Sequence, residues 1–153
     1  MAQILQEFVT AATQKAAADL EAAMLRLPED KRSWSPMDKA RTALDQAAEC
    51  ALINGYTAEM IASRKWNMGD DMSSFEQEKD KLKQDWSAVK SVLDQNIAKL
   101  VAAIRSVPDE DLGHEIQMPW GPMSMAQIIA YPYWNMAYHE GQINYISSMV
   151  GCL

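Results

Sequence analysis

The chain is short of cysteine, glycine, proline and positive charge, and each shortage excludes something. Two cysteines, Cys50 and Cys152, in 153 residues are too few for a disulfide scaffold. Reduced thiols fit that count, so the expected compartment is the cytoplasm. The six glycines and six prolines mostly punctuate long helical stretches rather than interrupt them, and no strand pattern or internal repeat stands between them. There is no Gly-rich phosphate loop, no CxxC and no GxSxG. The longest apolar stretches are interrupted well short of the ~20 residues of a membrane span, and the opening segment lacks the basic and apolar blocks of a signal peptide. Lys and Arg number 14 against 21 Asp and Glu, a formal charge of −7, with no basic cluster to relieve it. Nucleic acid and anionic membranes are therefore excluded as expected partners. What is present is ample apolar content, 48%, in a length that favours one domain over residues 1–153.

Periodicity predicts four helices and no sheet. The first covers about residues 3 to 26, with Leu5, Phe8, Ala12, Ala16, Leu20 and Ala23 spaced by three or four, and Pro28 stops it. The second is expected to start at a Ser35 cap with Pro36 in its first turn and Asp38 as the capping-box acid, and to run to about residue 63. Met68 to Asp71 reads as a loop. A capping box at Ser73–Glu76 then opens the longest helix, striped by Phe75, Leu82, Trp86, Val89, Leu93, Ile97, Leu100 and Ile104. Its charge run, Glu78 to Asp85, reads as a solvated face. After Pro108 a loop of about fifteen residues carries Met118-Pro119-Trp120-Gly121-Pro122, which either plugs one end of the bundle or walls a pocket mouth. Ser124 and Gln127 cap the fourth helix, Pro132 lies inside it, and Gly151 closes it. The expected class is all-α, a four-helix bundle.

The fourth helix is the informative one. Met125, Ile128, Ile129, Pro132, Met136, Ile143 and Ile146 form a broad apolar side with His139 in its middle, Asn135 and Gln142 on its edge. An isolated histidine there is more often a satisfied core residue than a ligand. Asn135 and His139 stand at i and i+4, however, near enough to share one ligand, and the second helix offers Asp45 and Glu49 at the same spacing. Asp45 can pair with Arg41, while Glu49 borders Leu52, Ile53 and Tyr56 and is the better inward candidate. A separate aromatic stripe, Tyr131, Trp134, Tyr138 and Tyr145, reads as a dimer face or a ligand pocket. Cys50 sits in an Ala-Glu-Cys-Ala context with no flanking cation, which suits a packed residue better than a nucleophile.

Trp34-Ser35-Pro36, the segment Ala43 to Cys50, Pro119-Trp120-Gly121 and above all His139-Glu140-Gly141-Gln142-Ile143 give the chain, over nearly its whole length, a resemblance to the DinB-like superfamily. The resemblance implies a DinB-like four-helix bundle related to metal-dependent thiol transferases. It also implies a divalent metal held by three histidines, one on the second helix and two on the fourth. Those positions carry Glu49, Asn135 and His139 here, so one histidine of three is kept. The substituted set either holds a divalent metal such as zinc, nickel or manganese, or forms a hydrogen-bonded polar cluster without one. Two functions follow. One is a bundle with an altered metal site that works as a homodimer or holds an apolar small molecule, with Tyr131, Trp134, Tyr138 and Gln142 as pocket or interface. The other is a divalent-metal thiol transferase in which the metal activates a small thiol.

Overall fold

The structure, a computed structural model, describes residues 3–153. Helix α1 spans Ile4–Arg26, α2 Ala43–Ser63, α3 Ser73–Leu82, α4 Trp86–Arg105 and α5 Met125–Met149. A hairpin of β1, Glu115–Met118, and β2, Gly121–Ser124, precedes α5. Helices α1, α2, α4 and α5 make the bundle, with α2 packed on both α4 and α5, and α1 on both α5 and α4. Two apolar clusters fill it. One joins the hairpin end through Phe75, Leu100, Ile116, Met125 and Ile129. The other lies toward the opposite end around Leu20, Met24, Ala47, Leu93 and Ile143.

Three local expectations are corrected. The second helix starts seven residues after Pro36. The Ser35 hydroxyl donates to the carbonyls of Met37 and Ala40, at 2.6 and 2.8 Å, rather than capping. Thr42 takes the cap instead, its Oγ1 accepting from the Asp45 amide at 3.1 Å. The expected third helix is two. Asp85 turns extended and its carboxylate accepts from the amides of Ser87 and Ala88, founding a new helix in a stretch without glycine or proline to announce a stop. At the start of α3 no Ser–Glu box forms. Met72 adopts a left-handed conformation, φ 56°, and Asp71 Oδ1 accepts from the Ser73 amide.

Between Pro108 and α5 the expected loop contains the hairpin, antiparallel with Ile116 opposite Met123 and Met118 opposite Gly121. Gly121 has φ 124°, a conformation open to glycine and strained for other residues, which lets β2 follow directly on Pro119-Trp120. The fourth helix ends as expected at both termini. Ser124 and Gln127 form a reciprocal capping box. Gly151, at φ 77°, closes a C-terminal motif in which the amides of Gly151 and Cys152 reach back to the carbonyls of Ser148 and Ser147. Pro132 sits in the continuous helix and has no N–H to give the Ile128 carbonyl.

Candidate functional site

Glu49 and His139 face each other across the α2–α5 seam, with His139 Nε2 3.0 Å from Glu49 Oε1. Glu49 lies about two turns into α2 and His139 near the middle of α5, where the backbone is paired to itself and the side chains alone meet. The other imidazole nitrogen, Nδ1, is held by two amide oxygens, Gln46 Oε1 at 3.0 Å and Gln142 Oε1 at 2.7 Å. Oxygen atoms thus face the imidazole from both sides, amide oxygens at Nδ1 and a carboxylate at Nε2. The second oxygen of Glu49 accepts from Arg41 Nη2 at 2.6 Å. Arg41 also pairs through Nε with Asp45, to which Lys83 donates at 3.3 Å. His139 and Gln46 are buried; Glu49 is half-buried.

Electrostatics follow from that wiring. Burial pushes the Glu49 carboxyl upward, but the hydrogen bond from His139 and the charge of Arg41 outweigh it, and the net displacement is below the ordinary value. Asp45 moves the same way: burial opposes ionisation, and Arg41, Lys79 and Lys83 more than offset it. Cys50, one residue from Glu49, is fully buried, and burial followed by the neighbouring carboxylate pushes its thiol well above the usual cysteine range. The thiolate that nucleophilic chemistry requires is disfavoured there. Asn135 is buried too, but its Nδ2 contacts Cys50 Sγ at 3.7 Å.

The sequence-predicted residues thus part company. Glu49, His139 and Gln142 come together; Asn135 turns to the thiol; Trp134, Tyr138 and Tyr145 stand exposed on the outer face of α5. Tyr131, Trp134 and Tyr138 form a ladder with ring centroids 5.7 and 5.4 Å apart, and the last ring meets His139 edge-on at 5.4 Å. One member of the network escaped sequence reasoning: Gln46 lies one turn before Glu49 on the same face, a signal that was available. Arg41 pairs with Asp45 as expected, and it reaches Glu49 as well.

Glu49 also forms part of the wall of a cavity of about 360 Å³ between α2, α3, α5 and the hairpin. Aromatic rings of Trp66, Phe75, Trp120 and Tyr131 line it, with the five methionines Met60, Met68, Met72, Met118 and Met123. Trp120 is largely exposed and meets Trp66 edge-on at 5.1 Å, so it walls the cavity mouth rather than plugging the bundle. On the other side of the network a shallow open groove is lined by Arg41, Gln46, Tyr138 and Gln142. The Glu49–His139 pair therefore lies between a cavity and a shallower, more open groove. Among the described residues no three His, Cys, Asp or Glu side chains converge as a metal-ligand group, and no helix is long and apolar enough to cross a membrane.

Comparison with known proteins agrees with this architecture. No curated protein sequence matches the chain. A solved structure does: YfiT from Bacillus subtilis, described as a probable metal-dependent hydrolase with an unusual four-helix bundle topology. It is 13% identical, and the superposition covers 100% of this chain and 91% of that one with a TM-score of 0.83, a likeness of fold. The DinB superfamily model matches residues 12–143, from the middle of α1 to the far side of the His139 network. This chain, an all-α four-helix bundle with an added hairpin, belongs to the DinB superfamily.

Proposed function

We propose that this chain is a small-molecule-binding DinB bundle whose metal site has become a metal-free polar partition. The observation that carries the reading is the cavity of about 360 Å³, apolar on most sides and closed on one by Glu49. Its size suits a small organic ligand. Methionines supply a surface that adapts to shape, and the rings of Trp66, Phe75, Trp120 and Tyr131 supply flat faces.

The competing reading is a divalent-metal thiol transferase built on Glu49, Asn135 and His139; the description of YfiT as metal-dependent keeps metal chemistry in view. The donor set present here fits a metal poorly. Both oxygens of Glu49 and both nitrogens of His139 are engaged, and the Arg41 guanidinium already supplies positive charge 2.6 Å from Oε2. The third position is an amide whose nitrogen faces Cys50 Sγ. Zinc, nickel or manganese would have to displace Arg41 and recruit a weak amide oxygen. No thiol or hydrolytic step is therefore derived for this chain.

The exposed ladder of Tyr131, Trp134 and Tyr138 supports a further element of the reading, homodimerisation along α5. Aromatic rings presented to water on one helix face are suited to a second copy of the same face.

The cavity is tested with Nile red, a neutral probe that brightens on leaving water. Saturable binding to the wild type, lost in Met123→Trp, which fills the cavity from its hairpin wall, supports the reading. Equal binding to both proteins, or none to either, refutes it.

A further inference from the structure

The walls of the cavity carry charge of one sign. Among its lining residues Glu49 and Glu76 are the acidic groups, and no Lys, Arg or His joins them. The partners of these carboxylates lie outside the lining: Arg41 and His139 on Glu49, and Lys79, 2.7 Å from Glu76. Each pair thus presents its negative end to the cavity. Four aromatic rings, Trp66, Phe75, Trp120 and Tyr131, also line the space, and the face of such a ring is the negative pole of its quadrupole. A neutral apolar ligand gains from the methionines and rings alone. A ligand of the same shape bearing a diffuse positive charge gains from rings and carboxylates as well.

We infer that the cavity selects a hydrophobic organic cation, such as a quaternary or protonated amine on an aromatic or aliphatic body. This rests on the reading that the cavity binds a small molecule, and adds which class it takes. Glu76 is the residue that sets the preference from the mouth. It is largely exposed, so its removal leaves the core intact, whereas Glu49 is tied into the α2–α5 network.

Two probes of one shape separate the class from the binding itself. Phenyltrimethylammonium and tert-butylbenzene differ by a charged nitrogen in place of a carbon, and quenching of Trp66 and Trp120 reports either. The cation is expected to bind about tenfold tighter than its isostere, despite its better hydration. Glu76→Gln is expected to weaken the cation about threefold and leave tert-butylbenzene unchanged. Glu78→Gln, which removes the same charge from α3 outside the cavity lining, leaves both constants as they are. Binding of tert-butylbenzene equal to or tighter than that of the cation overturns the inference while the cavity stands as a binding site. Equal effects of the two glutamine variants overturn the role of Glu76. If neither probe binds, the small-molecule reading falls and this inference with it.

Discussion

Replacing His139 by alanine tests the partition most directly. The imidazole satisfies the buried Gln46 Oε1, together with Gln142 Oε1 and Glu49 Oε1. Leaving the buried Gln46 acceptor without a partner costs about 1–3 kcal/mol. Glu49 keeps Arg41 and reaches some solvent, so its loss is smaller, and the vacated ring volume adds a cavity term. The sum is about 3 kcal/mol, or roughly 6–12 °C in Tm for a chain of this length. Glu49→Gln, which keeps a hydrogen-bonding oxygen but loses the charge, is expected to cost about 1 kcal/mol. Urea denaturation of wild type, both single variants and the double variant gives the coupling energy, expected at about 1.5 kcal/mol at pH 7. The pH dependence supplies a second check. The folded carboxyl of Glu49 lies below its ordinary value of 4.5, so the unfolded state binds the proton more readily. Its stabilisation is complete above that unfolded value and is lost as pH falls through the folded one. The coupling should therefore shrink on acidification from pH 5 toward pH 3. A loss below about 1 kcal/mol for His139→Ala, or a coupling that is flat over that range, would refute the reasoning.

Further outcomes follow from other features. Protein purified without a tag or chelator should carry no stoichiometric transition metal, and excess zinc, nickel or manganese should leave the unfolding midpoint of the wild type unmoved; a saturable stabilisation would place a metal in the site. Gly55 lies where an added Cβ would come within 2.6 Å of Asn96 Nδ2, the atom that donates to the Ala51 carbonyl, so Gly55→Ala should destabilise by roughly 1–3 kcal/mol in thermal unfolding although alanine is the better helix former. Ser124→Ala breaks the capping box of α5 and should cost about 1 kcal/mol, read by denaturant midpoint. Tyr138→Glu should shift the sedimentation coefficient from dimer to monomer; an unchanged value would show that the ladder is not the interface.

How far the sequence reached can be judged residue by residue. The bundle was legible because apolar spacing of three and four reports burial, and burial holds the helices together. The Ser124–Gln127 box and Gly151 were legible because capping is a local matter of side chain and adjacent backbone. The start of α2 was misplaced because Ser35 and Thr42 carry equally good caps, and the choice lies in where the preceding loop packs. Asp85 split the third helix although the apolar stripe runs through unbroken, since periodicity does not register a short turn that preserves the face. In the site, Glu49 was favoured over Asp45 from its apolar neighbours, and it does meet His139. Asn135 was grouped with them by its i, i+4 spacing, which fixes proximity but not the direction an amide turns.

The break before Asp85 has a kinetic side. Helix α3 is ten residues long and buries only Phe75 and Lys79, whereas α4 buries Val89, Leu93, Leu100, Val101 and Ile104. Because Asp85 starts α4 afresh with its own cap, fraying of α3 need not propagate into it, and the amide hydrogens of α3 should exchange with solvent well before those of α4. Phe75 and Glu76 belong to the cavity wall. The part of the wall that opens at least free energy is thus α3, and its local opening widens the cavity while the bundle stays shut.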